Sequence, residues 1–582
     1  MNRFVMLCLA LWTVAGCRPA STPVASPDRK GAATTPGCFV EISNAAGIGV
    51  AHSVGTLGSF FVPQIMGSGA AFCDFDLDGS LDLFLIGGVA MEAPGDGAPV
   101  RDRLFRQTGA GHFTDVTVAA GMSGGASGFG MGAAVGDVDN DGFPDLYATS
   151  YGRDQLWLNN GDGTFSERAE AAGITGSRWA TAASFFDYDG DGSLDLFVAS
   201  YVNYYPDLVC ENATGRRDYC GPGDFPGTVS KLYRNLGESC SESQTMFADV
   251  TVATGIASLP GKGLGLITRD FNGDLRPDVF VANDMEANRL WVQSDHGTFA
   301  DEAVLRGVAY NQFGRPQANM GVVCEDLNGD GNFDLFVTHL HSETNTFFAG
   351  DAEGQFRDDT ARSALGSPSL PYTGFGVAAV DVEHDGDLDL IVVNGRINHG
   401  ATVGENRSAG SYWSGYAEPA QLFLNDGTGR FTEDRASGGR LTSELRVSRG
   451  LAAADIDGDG DLDLLVTACD GPARLFINDF AKRGEWLQIR LIGTRRNRDA
   501  IGAQIVVRVG ERKYCREVAP CSSYLASYAG PVHFGLGPTD EFGSIAIRWP
   551  DGSRETFPRG RAGRSLVLRE GTGRPVSVER SP

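Results

Sequence analysis

The chain has 582 residues and a formal net charge of −26, with 74 acidic against 48 basic side chains. This acidic balance argues against nucleic acid as a partner, because a nucleic-acid-binding surface needs an excess of basic groups. Beyond the N-terminus no apolar run reaches the ~18–20 residues that span a bilayer, which argues against a chain threaded through the membrane.

The first segment, residues 1–17, is typical of a lipoprotein signal peptide. The sequence MNRFVMLCLALWTVAGC has one cationic side chain, an apolar run and small residues before Cys17. Because Ala15-Gly16-Cys17 resembles a bacterial lipobox, we predict lipidation of Cys17; an ordinary cleaved signal is the alternative. Residues 18–37 are rich in Pro, Ala, Ser and Thr and form a predicted flexible linker. These features predict an exported protein, lipid-anchored at the outer membrane or surface of a bacterial cell.

Seven copies of a nine-residue acidic loop follow within residues 38–484. Positions 1, 5 and 9 are Asp in every copy, and position 6 is Gly in six. Calcium takes ~6–8 oxygen ligands from carboxylates, backbone carbonyls and water. We therefore predict side-chain ligands at positions 1, 3, 5 and 9, and a backbone carbonyl at the variable position 7. Loop by loop, the predicted ligands are Asp74, Asp76, Asp78, Ser80, Asp82; Asp137, Asp139, Asp141, Phe143, Asp145; Asp187, Asp189, Asp191, Ser193, Asp195; Asp270, Asn272, Asp274, Arg276, Asp278; Asp326, Asn328, Asp330, Asn332, Asp334; Asp381, Glu383, Asp385, Asp387, Asp389; and Asp455, Asp457, Asp459, Asp461, Asp463.

The loops predict up to seven structural Ca²⁺ ions. Position 12 is apolar in all seven copies and lies in a β-rich run such as LDLFLIG, so an EF-hand, which needs a Glu there and flanking helices, is excluded. Each loop therefore precedes a predicted buried strand. In the fourth copy Asn272 replaces Asp and Leu275 replaces the turn glycine, so we expect this site to be the weakest.

A strand–hairpin–strand motif follows most of the loops, as in LWLNNGDGTFSERAEAAG from Leu156. Each unit thus holds about four short strands, which predicts an all-β fold with a seven-bladed propeller over residues 38–484, followed by a small β-rich domain. The segment from Phe39 to Ile48 matches the second half of the motif, which the last blade lacks, so it is predicted to complete that blade. Insertions lie roughly at 202–230 and 396–420.

Export implies an oxidising compartment, in which disulfides persist. Cys210 and Cys220 lie close together in one insertion and are predicted to pair. Cys515 and Cys521 are also close in sequence and are expected to form a second disulfide.

The repeats resemble the FG-GAP/VCBS family of calcium-loop propellers. Residues 485–570 contain NRDAIGAQIVVRVG from Asn497 and IRWPDGSRETF from Ile547 and resemble the ASPIC/UnbV domain, with residues 571–582 as a C-terminal tail. Together they resemble the cartilage acidic protein family and its bacterial relatives. That resemblance implies extracellular calcium binding and adhesion-like roles, with no established chemistry in the ASPIC/UnbV domain. From Glu485 onward there are 16 basic and 10 acidic residues, so this domain is predicted to dock on the acidic propeller.

Two functions remain open from the sequence. The preferred one is a monomeric, non-enzymatic scaffold that binds an extracellular protein or glycan; the alternative is a polysaccharide-acting lyase or hydrolase. The sequence contains no P-loop, no GxSxG and no HExxH motif, and we predict no catalytic residue. The strand-to-strand connections after the first strand that follows each acidic loop contain His339, His341, Asp284, Asn394 and Arg396. We take them as the candidate partner surface, with ordinary solvated loops as the alternative, and the two histidines are a weaker candidate for a transition-metal site.

Overall fold

The computed structural model describes residues 38–49, 52–89, 101–123, 128–212, 214–237, 245–400 and 410–576, and residues Pro36–Pro582 form one compact unit. The predicted signal, Cys17 and the linker lie outside the described residues. Within the described part no helix is long and apolar enough to cross a membrane. The helices are single turns, at Pro63–Met66, Pro222–Asp224, Ile256–Ser258, Thr360–Ser363, Gly366–Ser369, Gly410–Trp413 and Arg440–Ser443.

Seven antiparallel units of four strands, which we number as blades in chain order, form most of the structure, so the predicted all-β propeller class is confirmed. Five of them are four-stranded sheets; two strands of the C-terminal part extend the sheet of blade 1 to six strands, and Gln317–Ala318 is a fifth strand on blade 4. The strands of blades 1 to 3 are Ala70–Cys73, Asp82–Leu85, Arg103–Gly109, His112–Asp115; Gly128–Gly136, Asp145–Gly152, Gln155–Asn159, Phe165–Glu167; and Ala180–Phe186, Asp195–Ser200, Lys231–Asn235, Phe247–Asp249. Those of blades 4 and 5 are Gly263–Arg269, Asp278–Glu286, Arg289–Gln293, Phe299–Asp301; and Val322–Glu325, Asp334–Val337, Thr346–Gly350, Phe356–Asp358. Those of blades 6 and 7 are Gly374–Val380, Asp389–Asn394, Gln421–Asn425, Phe431–Glu433; and Ser448–Ala454, Asp463–Ala468, Arg474–Asn478, Phe39–Glu41.

The blades form a closed ring. The first strand of each blade contacts the first strand of the next, and blade 7 contacts blade 1. The N-terminal strand Phe39–Glu41 pairs antiparallel with Arg474–Asn478, which confirms that the N-terminal segment completes the last blade. First strands are rich in Gly and Ala because neighbouring backbones approach closely there: a Cβ on Gly321 would lie 2.0 Å from the carbonyl oxygen of Phe375 in the next blade.

The ASPIC/UnbV-like part builds a second core. Its strands are Trp486–Ile492, Gln504–Val509, Arg512–Glu517, Cys521–Ser522, Ala526–Ala529, Val532–Gly535, Glu541–Phe542, Ser544–Arg548, Arg554–Phe557, Gly560–Arg561, Arg564–Arg569 and Arg574–Pro575. Most of them form a three-stranded and a five-stranded sheet, between which Ile489, Ile505, Phe534 and Trp549 are buried. We call this part the tail domain.

One segment of the tail domain, residues 520–530, enters the centre of the ring; we call it the plug. Ala526–Ala529 pairs in parallel with Ala70–Cys73, the first strand of blade 1. Ser523 exchanges two backbone hydrogen bonds with Val322 of blade 5, and its hydroxyl accepts one from Val377 N of blade 6. The plug contacts first strands of all seven blades, so it fills the axis that a propeller would otherwise leave open.

Candidate metal centres

Each acidic loop joins the first and second strands of a blade, and its backbone folds around the position-1 Asp. One carboxylate oxygen of this Asp accepts the N–H of position 6, which closes the turn. The bonds are Gly79 to Asp74 (3.1 Å), Gly142 to Asp137 (2.8 Å), Gly192 to Asp187 (3.1 Å), Leu275 to Asp270 (3.0 Å), Gly331 to Asp326 (3.0 Å), Gly386 to Asp381 (2.8 Å) and Gly460 to Asp455 (3.0 Å). In the second loop, for example, Asp137 Oδ2 accepts this bond and Oδ1 is left for another partner.

In each blade the position-9 Asp is the first residue of the second strand, and its hydrogen bonds fix the loop to the blade. In the first loop Asp82 Oδ2 accepts the N–H of Phe75 (3.1 Å), and Asp82 Oδ1 accepts the N–H of Gln107 on the third strand (2.8 Å). The same pair of bonds recurs at Asp145, Asp195, Asp278, Asp334, Asp389 and Asp463. Position 9 therefore has a structural task that the metal-ligand prediction did not include.

Four loops bring three carboxylates together, with one oxygen of each within 4.8 Å of the others. These groups are Asp74, Asp76, Asp78; Asp137, Asp139, Asp145; Asp187, Asp189, Asp195; and Asp455, Asp457, Asp463. Within the described residues the fourth, fifth and sixth loops form no such group. Since the donors are oxygens only, the four groups suit a hard cation.

Buried oxygens without a partner support this fit. The second carboxylate oxygen, Oδ1, of the position-1 Asp is buried and accepts no hydrogen bond in four loops: those of Asp74, Asp137, Asp187 and Asp326. An unpaired buried carboxylate oxygen is costly, and a cation would satisfy it. Burial also raises the pKa of these loop carboxyls, to about 7 for Asp82 and Asp137, which shows the free-energy cost of holding them ionised without a counter-charge.

Arginines from the third strands neutralise part of two loops. Arg106 Nε lies 2.6 Å from Asp76 in the first loop, and Arg234 Nε lies 2.6 Å from Asp189 in the third. Both reach on to the position-5 Asp at 3.3 Å. They contact the outer side of the loop and leave the position-1 oxygen described above without a partner.

Side-chain amides link neighbouring blades, a feature that our sequence prediction missed. The last buried polar residue of the third strand donates to the position-2 carbonyl in the loop of the preceding blade. The bonds run from Gln107 to Ile456 (2.6 Å), Asn159 to Phe75 (2.8 Å), Asn235 to Val138 (2.7 Å), Gln293 to Tyr188 (2.8 Å), Asn425 to Leu327 (2.8 Å) and Asn478 to Val382 (3.1 Å). Blade 5 has Gly350 at this place. The signal in the sequence is the Asn or Gln that ends LWLN, LYRN, LWVQ, LFLN and LFIN.

The tail domain covers the face of the ring that carries the acidic loops, which confirms the predicted docking of this basic part on the propeller. Direct contacts join Arg490 to Asp74 (3.6 Å), Asp499 to the N–H of Asp137 (2.9 Å), Arg548 to Asp270 (3.0 Å), Arg512 to Asp387 (2.5 Å) and Gln488 to Asp455 (2.7 Å). Arg496 lies against Gly190 of the third loop, and Arg516 lies 3.8 Å from Glu325, beside the fifth loop. All seven loops thus adjoin the tail domain.

The residues of the predicted partner surface serve internal contacts instead. Asp284 is buried and accepts a 2.6 Å hydrogen bond from the Tyr201 hydroxyl, and Arg396 pairs with Glu418 at 2.8 Å. Asn394 is buried and donates to the carbonyl of Pro419. Asp284 and Asn394 are therefore buried rather than exposed, whereas Arg396 stays partly exposed, and the predicted partner surface stays a prediction.

The two histidines do not form a described metal site. His339 is fully buried, and burial lowers its pKa to about 3. His341 is half-buried and lies near Arg396, whose charge also lowers its pKa. No group of three ligating side chains that includes either histidine occurs within the described residues.

The structure contains one of the two predicted disulfides. Cys210 and Cys220 are bonded, with their Cα atoms 5.1 Å apart, whereas Cys515 and Cys521 are free thiols, so the second predicted pair is wrong. The reason is topological: Cys515 lies opposite Val506 in the five-stranded sheet of the tail domain, while the buried Cys521 lies in the plug and its thiol donates to the Leu266 carbonyl of blade 4. The backbone between them crosses from one sheet to another.

Two protein families match the chain. The FG-GAP-like repeat family matches residues 74–148, 137–198, 270–337, 326–392 and 411–466, more than half of the sequence, and the ASPIC and UnbV family matches residues 493–575. The chain therefore belongs to the FG-GAP-like repeat family and carries an ASPIC/UnbV domain.

Similar curated proteins include cartilage acidic protein 1 of Xenopus tropicalis, Homo sapiens and Mus musculus. Each is 25% identical over 443 residues, and the alignments cover 72% of this chain and 61%, 60% and 61% of the respective relative. The chain thus spans about 60% of the length of these relatives.

Similar solved structures have low identity and low superposition scores. They include an Agrocybe aegerita lectin that recognises non-reducing terminal N-acetylglucosamine (13% identity, 70% of this chain and 86% of that chain covered, TM-score 0.35). Another is YCF48 bound to D1 peptide (10% identity, 78% and 100% covered, TM-score 0.40).

Proposed function

We propose that the protein is an exported, calcium-stabilised propeller scaffold that binds an extracellular protein or glycan. The observation that carries the calcium part is the buried position-1 oxygen without a partner in three loops that also gather three carboxylates, those of Asp74, Asp137 and Asp187. Oxygen-only donors on a flexible loop are typical of Ca²⁺ sites rather than of sites for softer metals. Calcium would supply structure here and no chemistry, since the tail domain covers the loops.

The binding surface that the structure favours is the face opposite the acidic loops, because the tail domain occupies the loop face. On that opposite face the disulfide-closed insertion exposes three apolar side chains: Tyr205 (48% exposed), Leu208 (44%) and Val209 (60%). Beneath them Tyr204 and Phe225 pack with rings 5.1 Å apart, so the insertion has its own aromatic base. An exposed Tyr on such a base suits stacking on a sugar or packing against a protein side chain.

A scaffold is favoured over the polysaccharide-acting enzyme because the polar side chains singled out in the blade connections bind other residues of the protein or are buried. Asp284 is bound to Tyr201, Arg396 to Glu418, and His339 is fully buried. Catalysis would need such groups to converge on an open pocket.

Export with lipid anchorage at Cys17, and a monomeric state, complete the proposal. The lipobox-like sequence supports the anchor. Metabolic labelling with a radioactive fatty acid tests it: label in the wild type and none in Cys17→Ser is expected, and label-free wild-type protein would exclude the anchor.

An array of glycans and extracellular proteins, probed with the chain in buffered calcium, tests the binding function. A ligand that binds wild type is expected to lose at least about tenfold in affinity with the double variant Tyr205→Ala/Leu208→Ala. Tyr310→Ala, another exposed tyrosine (39%) outside the insertion, is the matched control and should bind normally. Binding that both variants retain would place the site elsewhere, and an array without any ligand would contradict the scaffold proposal.

A further inference from the structure

We infer that the fourth loop, residues 270–278, takes the guanidinium of Arg548 from the tail domain in place of Ca²⁺. The loop then serves as a docking site for the tail domain, while the four loops that gather three carboxylates hold metal. This inference rests on the calcium binding proposed for the other loops.

The position-1 carboxylate of the fourth loop has no free capacity. Asp270 Oδ1 accepts the N–H groups of Gly273 (2.7 Å) and Asp274 (3.0 Å). Its Oδ2 accepts the N–H of Leu275 (3.0 Å) and Nη1 of Arg548 (3.0 Å). Four donors fill the roughly four acceptor sites of a carboxylate. In the loops of Asp74, Asp137, Asp187 and Asp326, by contrast, Oδ1 accepts nothing.

The remaining ligand positions of this loop are also occupied by donors. The amide nitrogen of Asn272 donates to Asp274 Oδ2 (2.9 Å), and Arg276 Nη2 binds the same oxygen at 2.5 Å. Two guanidinium groups therefore offset the three carboxylates Asp270, Asp274 and Asp278. A cation entering the loop would have to displace both arginines and turn the Asn272 amide around.

Arginine contacts at the sibling loops are different in kind. Arg106 and Arg234 bind positions 3 and 5 from outside. Arg490 stays 3.6 Å from Asp74, beyond hydrogen-bond distance. Among the seven loops, all of which are described, only the fourth has an arginine at hydrogen-bond distance from its position-1 carboxylate.

The replaced turn glycine fits the same purpose. Leu275 keeps the left-handed backbone of the turn (φ 71°), which is unfavourable for Leu. Its side chain lies against Gly552 of the tail domain, so closely that a Cβ added to Gly552 would be 2.6 Å from Leu275 Cδ1. Arg548 ends the strand Ser544–Arg548, and the next residue, Trp549, is fully buried in the tail-domain core, so the guanidinium is held in place. The loop thus contacts the tail domain through one ionic and one apolar contact.

Bound calcium per chain, measured on the full chain by equilibrium dialysis at about 1 mM Ca²⁺ and plasma emission spectroscopy, tests the inference. Asp187→Asn is the matched variant, since Asp187 holds the same loop position but has a buried oxygen without a partner. We expect Asp187→Asn to lose one Ca²⁺ per chain and Asp270→Asn to retain the wild-type number. A loss of one ion in Asp270→Asn overturns the inference, whereas a wild type that binds no calcium overturns the proposed function itself.

Thermal unfolding with calcium and with chelator provides an independent readout. Asp270→Asn and Arg548→Gln are expected to lower the melting temperature equally under both conditions, because an Asp–Arg pair does not depend on calcium. Asp187→Asn should lower it in calcium only. If Arg548→Gln loses bound calcium, or if Asp270→Asn is destabilised in calcium alone, the fourth loop is a metal site and the inference is wrong. Arg548→Gln also covers the case in which Asp270→Asn fails to fold.

Discussion

We predict that the side-chain amides that link neighbouring blades stabilise the fold. Two adjacent asparagines, Asn159 and Asn160, provide the test residue and its control. Asn159 is buried, and its amide nitrogen donates to the carbonyls of Phe75 in blade 1 (2.8 Å) and Pro144 (3.3 Å), while its oxygen accepts the N–H of Gly161 (3.0 Å). Asn160, the next residue, is exposed and donates to the Thr164 hydroxyl (2.9 Å). Replacing each by Ala compares a buried link between blades with an exposed turn contact.

The magnitude follows from the contacts. A lost hydrogen bond costs about 0.5–1.5 kcal/mol net, and a buried group left without a partner costs about 1–3 kcal/mol. Asn159→Ala removes three hydrogen bonds and leaves the Phe75 carbonyl without this donor, so we expect a loss of roughly 2–4 kcal/mol in the free energy of unfolding. Asn160→Ala should change it by no more than about 0.5 kcal/mol.

Urea unfolding in saturating calcium, followed by tryptophan fluorescence, measures both variants. Hydrogen exchange shows which blade is affected. Backbone amides of residues 74–82 in blade 1 should exchange faster in Asn159→Ala, although the substitution lies in blade 2. Equal losses of stability in the two variants, or faster exchange confined to blade 2, would refute the inter-blade role.

Three further predictions concern metal, pH and packing. Chelation of calcium should lower the melting temperature in calorimetry, because the loop carboxylates lose their counter-charge; an unchanged value contradicts calcium stabilisation. Burial raises the pKa of Asp284 to about 7 from its ordinary 3.8. Between these pH values the folded chain keeps the Asp284 proton that the unfolded chain releases. The contribution of Asp284 to the free energy of unfolding therefore falls as pH rises through that window. Asp284→Asn should therefore flatten the decline between pH 4.5 and 7 in urea titrations, and curves parallel to wild type would argue against it. A Cβ on Gly69 would lie 2.4 Å from the Leu525 carbonyl of the plug, so Gly69→Ala should lower the free energy of unfolding by about 1–3 kcal/mol. Gly221 has open space around it, so Gly221→Ala should lower it by less than about 0.5 kcal/mol. Equal losses in the two variants would mean that the plug moves aside and that its packing against Gly69 is not tight.

Local patterns predicted the repeated parts of this fold. The Asp spacing and the apolar runs after it, such as the one that begins at Asp82, fix a turn followed by a buried strand whatever the rest of the chain does. The half-motif at Phe39 likewise identified the strand that completes blade 7.

Features that depend on distant pairing could not be predicted in the same way. The plug strand Ala526–Ala529 pairs with Ala70–Cys73, more than 450 residues away, and nothing in its own sequence specifies that partner. Close spacing suggested a Cys515–Cys521 disulfide, but the chain passes between sheets there. Asp284 lies near the end of a strand that is buried on both faces, and His339 lies just beyond such a strand. Because these runs lack apolar–polar alternation, the sequence did not show that the two side chains are buried. Asn159 and its counterparts were overlooked because a polar residue at a strand end also suits an ordinary turn.

The plug gives the chain a constraint in time as well as in space. Residues 39–479, which hold all seven blades, leave the ribosome before residues 520–530 are made. A ring formed from these residues alone would lack the plug, and the N–H of Val322, which donates to the Ser523 carbonyl in the complete protein, would lack that partner. Because the plug belongs to the tail domain, the ring can reach its final packed form only after the tail domain has been synthesised. The last tenth of the sequence therefore sets when the rest of the chain can complete its folding.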